Sequence, residues 1–164
     1  LNGKKAFPSG VSAANLLGFT TQNPGRREIA TSASSLPRRI IGPETRLHTR
    51  RPESWNTLSA EDAALLDFLR NGGRHSELSP EETVQKLLAN LKDEARFARL
   101  LAVAASEPPR VRAILGAAGQ QLRKRASQLT PLRESINPLS LFDFGLFAGL
   151  RHAREWQAKT GASR

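Results

Sequence analysis

Cysteine is absent from this sequence, and with it disulfides and thiolate metal sites. Methionine is absent too, even at position 1, so the chain is expected to be a fragment without its true beginning. No apolar stretch reaches the ~18 residues of a transmembrane helix. The opening Leu-Asn-Gly-Lys-Lys-Ala-Phe lacks the apolar core of a signal peptide. A cytoplasmic location with no membrane partner is the expectation. Phosphate-cradling loops are missing, since neither G-x-x-x-x-G-K-[ST] nor G-x-G-x-x-G occurs. No G-x-S-x-G elbow supports a Ser-His-Asp hydrolase. His48, His75 and His152 stand far apart, none with a ligand-spaced neighbour, so no metal and no cofactor are expected.

What the chain does have is positive charge. Its 164 residues carry 25 Lys and Arg against 15 Asp and Glu, a net charge of +10. Hydrophobic content is 38% and charged content 24%, which suits a folded rather than a disordered chain. The charge is uneven. Residues 1–58 hold nine Lys/Arg and three acids, residues 59–109 six and nine, and residues 110–164 ten and three. A basic excess of this size favours a polyanion or an acidic protein surface as partner. The acid pairs Glu61-Asp62, Glu81-Glu82 and Asp93-Glu94 fall in the first turns of predicted helices, where the helix dipole accounts for them. Asp143-Phe144-Gly145 spells the metal-binding tripeptide of protein kinases, but no Gly-rich loop or H-R-D motif accompanies it. It reads as an apolar docking segment with one acid.

Periodicity orders the chain. A short helix is predicted over Ser12 to Phe19, with Ser12 as N-cap, Ala13, Leu16 and Leu17 as its apolar face, and Gly18 at its end. Strands are predicted over Arg27 to Thr31, Arg38 to Ile41 and Thr45 to Arg50, the last two joined by a Gly42-Pro43 turn. From Ser59 onward the pattern is helical. Ser59 opens one helix, with Leu65, Leu66, Phe68 and Leu69 inward and Asn71-Gly72-Gly73 as its stop. Ser79-Pro80-Glu81-Glu82 is a cleaner start: N-cap Ser, Pro at the first helical position, Glu at the third. A third helix runs from about Glu94 to Ala105, and Pro109 opens a fourth through Val111, Ile114 and Leu115. Leu129 to Leu150 reads as a Pro-broken apolar tail, followed by a short helix over Arg151 to Lys159 with Trp156 inward.

Two groups of residues are candidates for contact. Arg26, Arg27, Arg38, Arg39, Arg46, Arg50 and Arg51 sit on predicted strands and turns. If the strands pair, Arg46, His48 and Arg50 alternate with Leu47 and Thr49 and make one face basic. Guanidinium groups there could grip phosphates bidentately. With no base-reading helix in the stretch, their expected contribution is positioning on the DNA backbone rather than sequence readout. Arg123-Lys124-Arg125 ends a predicted helix, where it complements the dipole. In the tail, Phe142, Phe144, Leu146 and Phe147 exceed what a chain end normally exposes, and are the expected partner-binding or dimerisation face.

The run Gly10 to Pro24 carries a resemblance. Ser12-Ala13-Ala14-Asn15, Leu17-Gly18, Thr21-Gln22 and Pro24 stand where the AbiEi-type antitoxins, and a related family of transcriptional regulators, have a Ser-Ala-Ala, Leu-Gly and Thr-Gln-x-Pro signature. The chain resembles that family over roughly residues 7–105, through Glu28 to Thr31, Leu47 to Pro52 and the amphipathic helix of Ser59 to Arg70. The resemblance implies a two-part protein. An N-terminal winged helix binds DNA and represses the operon. A C-terminal domain supports DNA binding and counteracts a nucleotidyltransferase-type toxin. This chain would be the C-terminal domain, with the winged helix upstream, and the signature residues would act as scaffold.

The expected architecture is therefore α+β: a small, mostly antiparallel sheet with a short N-terminal helix, then an α-helical bundle and a Pro-broken apolar tail. Residues 1–58 and 59–128 are expected to form one domain, with 129–164 as a tail. The expected function is non-catalytic, in an antitoxin-like regulator that contacts DNA and a toxin or second subunit. The alternatives are an interaction domain of a mobile-element protein with no nucleic-acid role, and a metal-dependent nuclease or phosphotransferase.

Overall fold

A computed structural model describes residues 4–37, 39, 42 and 44–159. The fold is α+β, a three-stranded mixed sheet followed by a run of helices. The chain divides into two compact units. Over the described residues the first is 4–68 with 75–77, and the second is 69–74 with 78–159.

The first unit is built on a sheet of order β1-β2-β3: β1 Ala6–Pro8, β2 Glu28–Thr31 and β3 Arg46–His48. Strand β1 lies antiparallel to β2, with Phe7 opposite Ala30. Its Pro8 has no N–H to give, which an edge position tolerates. Strand β3 pairs with β2 in parallel, Ile29 opposite Leu47. The expected mostly antiparallel sheet is thus mixed. Residues 32–45 are long enough for the crossover of about a dozen residues or more that a parallel pair needs. The strand expected over Arg38 to Ile41 lies outside the described residues apart from Arg39, as does Pro43 of the expected turn. Central β2 carries the core, with Ile29, Ala30 and Thr31 all buried.

Helix α1 (Val11–Leu16) starts earlier than its sequence suggests. Its N-cap is Gly10, not Ser12. The reason is Asp67, a buried carboxylate on α2 (Ala60–Arg70). It accepts the Ser9 hydroxyl at 2.7 Å and the Gly10 amide at 2.9 Å, and so fixes where the helix begins. Ala13 and Ala14 face inward, while Leu16 is exposed. Gly18 ends the turn at φ 81°, as its position predicts. Phe19 then stacks on Phe68, ring centroids 4.0 Å apart. Trp55, fully buried in a 3-10 turn (Glu53–Thr57), meets Phe7 edge-on at 6.0 Å.

The signature loop is tied down by polar groups. The Glu77 carboxylate accepts the Thr21 amide at 2.8 Å, the Thr21 hydroxyl at 2.9 Å and the Thr20 hydroxyl at 3.1 Å. The Asn15 side chain donates to the Gln22 carbonyl at 2.9 Å. The Thr21 amide, then the two threonine hydroxyls, hold the Glu77 carboxyl below its ordinary value of 4.5. The resulting stabilisation is full above that value and is lost as pH falls through the lower folded one. Glu77→Gln is expected to melt below wild type at neutral pH, with the gap closing as pH drops below about 4.5. Thermal melts of both proteins between neutral and acid pH check this, and a gap that widened in acid would contradict it.

The second unit is helical: α3 (Pro80–Leu91), α4 (Glu94–Val103), α5 (Pro109–Gln121) and α6 (Ala126–Glu134). Its starts follow local chemistry. The Ser79 hydroxyl accepts the Glu82 amide at 3.1 Å, with Pro80 opening the helix. Asp93 caps α4 through the Arg96 amide, which holds its carboxyl below the ordinary value. Helix α5 is the centre, buried at every residue from Ala113 to Gly119. Gly116 gives its space to the Trp156 ring, and Gly119 to Phe97 and Leu129.

Three expectations fail here. The region after Leu129 is not broken by its first proline, because α6 runs through Pro131. The cost is one missing amide donor towards the Ser127 carbonyl. The final helix over Arg151 to Lys159 is only a 3-10 turn at Arg154–Trp156, ended by Gln157 in the left-handed region at φ 69°. The tail is also not an exposed docking segment. Phe144 and Phe147 are core residues, 2% and 0% exposed. Phe142 is half-buried and bridges to Ala158, while Leu146 is half-buried with its amide on the Gly72 carbonyl at 2.9 Å. The chain end folds back over α3 and α5, so its aromatics fill the core of this unit. The large apolar side chains left exposed in the tail are Leu139 (89%) and Leu141 (62%). No helix among the described residues is long and apolar enough to cross a membrane.

Candidate nucleic-acid interface

Parallel pairing starts β2 and β3 side by side, and this brings three of the expected arginines together. The Arg46 amide donates to the Arg27 carbonyl at 2.7 Å, and the Arg26 Nε donates to the Glu44 carbonyl at 3.2 Å. Arg26, Arg27 and Arg46 are all exposed. The three residues share one end of the sheet, Arg46 on the face of its register partner Glu28 and Arg27, one residue before Glu28, on the other, so that together they can meet phosphates around the sheet's end rather than on one face.

The strand face itself is less basic than its alternation predicts. Arg46 and His48 do share a face, but Glu28 is the register partner of Arg46 and stands on that face too. Its Oε2 lies 3.0 Å from His48 Nε2, and its carboxylate lies over the Gly10 backbone, where a Cβ would meet it at 2.6 Å. Arg50 does not continue the row. The strand ends at His48, and Arg50 takes φ 57° with its amide on the Ala33 carbonyl at 3.0 Å. Arg51 is half-buried. Its guanidinium lies 5.8 Å from the centre of the Trp55 ring, within cation–π range. Its first role is therefore packing. Arg39 is exposed, and Arg38 lies outside the described residues.

A second basic cluster gathers at the opposite end of the sheet. There the antiparallel register places the start of β1 beside Thr31, whose hydroxyl donates to the Lys5 carbonyl at 2.8 Å. Lys4, Lys5 and Arg50 share this end, roughly 13 Å or more along β2 from Arg27. Lys4 pairs with Glu53 at 3.3 Å, and Lys5 Nζ donates to the Leu58 carbonyl at 3.3 Å. Lys4 and Lys5 escape a reading of the sequence because three residues of β1 give no alternation to find. The adjacent Lys-Lys before Ala-Phe-Pro is the signal that was there. A cavity of about 200 Å³ beside β1 and β2 has both Arg27 and Glu28 in its wall, so the two charges offset each other.

Elsewhere charge is spent on packing. Lys124 reaches Glu94 and the Lys92 carbonyl and lies 5.0 Å from the Phe97 ring centre, so the Arg123-Lys124-Arg125 patch is partly structural. His152 pairs with Glu155. The Asp143 carboxylate accepts the Gly145 amide at 2.9 Å, closing a turn. Among the described residues no group of three or more His, Asp or Glu side chains is placed to hold a metal ion. Comparison of the chain with protein-family models, with curated proteins and with solved structures finds no match to any of them.

Proposed function

We propose that this chain is the non-catalytic C-terminal domain of an antitoxin-like transcriptional regulator of the AbiEi type, held on the DNA backbone by Arg26, Arg27 and Arg46. The observation that carries this reading is the shared start of two parallel strands, with three exposed arginines on it. Arg50 extends the contact to the other end of the sheet, where Lys4 and Lys5 are engaged by Glu53 and the Leu58 carbonyl. The signature from Ser12 to Pro24 supports the family, and its bonds to Glu77 and within the loop agree with a scaffold role. Sequence readout belongs to the upstream winged helix that the resemblance implies. A nucleotidyltransferase-type toxin or a second subunit would meet the turn that presents Leu139 and Leu141.

The test is binding to a short DNA duplex at fixed low salt, followed by fluorescence anisotropy. Changing Arg26, Arg27 and Arg46 together to Gln is expected to weaken binding by at least about tenfold, at some 1.5–3 kcal/mol for each charged hydrogen bond before losses to solvent. Arg154→Gln, an exposed change in the second unit, is expected to bind as wild type. Equal affinity of the triple variant and wild type would remove the strand arginines from the interface. A second reading, a protein-interaction domain with no nucleic-acid role, is favoured by one observation. Leu139 and Leu141 are held out on a turn fixed by Gln157, whose side chain donates to the Asn137 and Ser140 carbonyls. Absence of duplex binding at low salt would select it.

A further inference from the structure

The second unit contains a polar pocket that the strand arginines do not explain. It has a volume of about 370 Å³ and is walled by Arg70, Gly72, Arg74, Arg110, Asp143 and Gly145 among others. Arg70 and Arg74, from the end of α2 and the turn after it, and Arg110, from α5, thus line it together with the Asp143 carboxylate, while Arg70 is itself paired with Glu107. The Asp143 carboxylate is already engaged by the Gly145 amide. We propose that this pocket binds a compact phosphate-bearing anion of the size of phosphate or diphosphate.

Three features support it. First, two glycine backbones pack directly against each other in the pocket wall. Gly72 and Gly145 both adopt positive φ, at 62° and 56°, and their backbones touch so closely that a Cβ on Gly145 would lie 2.4 Å from the Gly72 oxygen. The Leu146 amide closes the contact by donating to that same oxygen. Second, Arg70 is oriented from behind. Its Nε and Nη2 donate to the two oxygens of Glu107 at 2.9 and 3.0 Å, and the Glu107 side chain is fully buried. A guanidinium fixed in this way loses little freedom on meeting a ligand. Third, Arg110 stands in the second residue of α5 and makes one long bond, Nη1 to the Asp143 carbonyl at 3.4 Å. Most of its five donors remain for an anion, and the start of a 13-residue helix adds a favourable field. The pocket is within the range of small-ligand sites, yet its wall is polar rather than apolar and holds no aromatic ring. Those traits suit a charged group and not a nucleobase or a lipid chain.

The inference is independent of the DNA reading, because it uses none of the strand arginines. Its test is calorimetric titration of the intact chain with sodium phosphate and with sodium diphosphate in dilute chloride buffer. Saturable one-to-one binding is expected, tighter for diphosphate. Arg110→Gln is expected to weaken it at least about tenfold, and Arg74→Gln, at an exposed position, about threefold or more. Arg125→Gln, which changes an arginine outside the pocket, is expected to leave it unchanged. Absence of saturable binding would overturn the proposal, as would equal loss in the Arg125 variant or none in the other two. A DNA duplex that displaced diphosphate and itself needed Arg110 would also overturn it, by making the pocket part of the nucleic-acid path.

Discussion

Gly116→Ala is expected to lower the melting temperature by roughly 5–15 °C, although alanine is the better helix former. The added Cβ would lie 2.1 Å from Trp156 Cζ3 and 2.4 Å from Cη2, where carbon atoms normally stay about 3.5–4 Å apart. The Trp156 ring has no easy retreat. Its indole N–H donates to the Gln120 side chain at 2.8 Å, and the Arg133 guanidinium stands over the ring, 4.0 Å from its centre. Gaining helix propensity is worth about 1 kcal/mol. Forcing the ring outwards combines overpacking, about 1–3 kcal/mol, with part of the loss of a buried tryptophan, about 3–5 kcal/mol. The unfavourable side wins by about 2–4 kcal/mol on these magnitudes. A companion Trp156→Leu change should recover part of the loss, because the smaller side chain makes room for the methyl group. Thermal or urea unfolding decides it: a Gly116→Ala chain as stable as wild type would mean that α5 and Trp156 do not meet as described.

How much of this could be read from residues follows from the range of the interactions. The starts of α2, α3 and α5 were legible because their signals are local: Ser59, Ser79-Pro80 and Pro109 act within one turn. The start of α1 was not, because Asp67 lies far along the chain and decides it through Ser9 and Gly10. Helix α6 was hidden by Pro131, a residue that usually stops a helix and here does not. Parallel pairing of β2 with β3 is likewise set by a crossover rather than by either strand's own residues. The tail aromatics show the same limit in packing. Phe144 and Phe147 read as surface while their cover, the glycine turns at Gly72 and Gly73, lay about 70 residues earlier.

The candidate interface was legible as a list and not as a surface. Exposure of Arg26, Arg27 and Arg46 follows from their charge, but their meeting follows from register. The left-handed turn at Arg50 removes one member from the row that alternation predicts, and the Trp55 ring takes Arg51 from the list of expected contacts. Glu28 enters the same face because parallel pairing puts it opposite Arg46. The result is two small basic clusters with an acid between them, a pattern suited to gripping successive phosphates and poorly suited to reading bases.

The second large effect is the salt dependence that such a grip implies. Each phosphate contact that displaces a condensed counterion adds about −0.9 to the slope of log affinity against log salt. With Arg26, Arg27, Arg46 and Arg50 each holding one phosphate, a fourfold rise in salt should weaken binding on the order of a hundredfold. Removing the first three should flatten the slope by about 2.7 and leave little affinity to measure at high salt. Changes to Leu139 and Leu141 should leave the slope where it was, because they carry no charge.

The most direct measurement is therefore the affinity of the wild-type chain for a short DNA duplex at a series of salt concentrations, by fluorescence anisotropy. Binding at low salt is expected, with a log–log slope near −3 to −4. No binding at low salt, or a slope close to zero, would contradict the proposed grip on the DNA backbone.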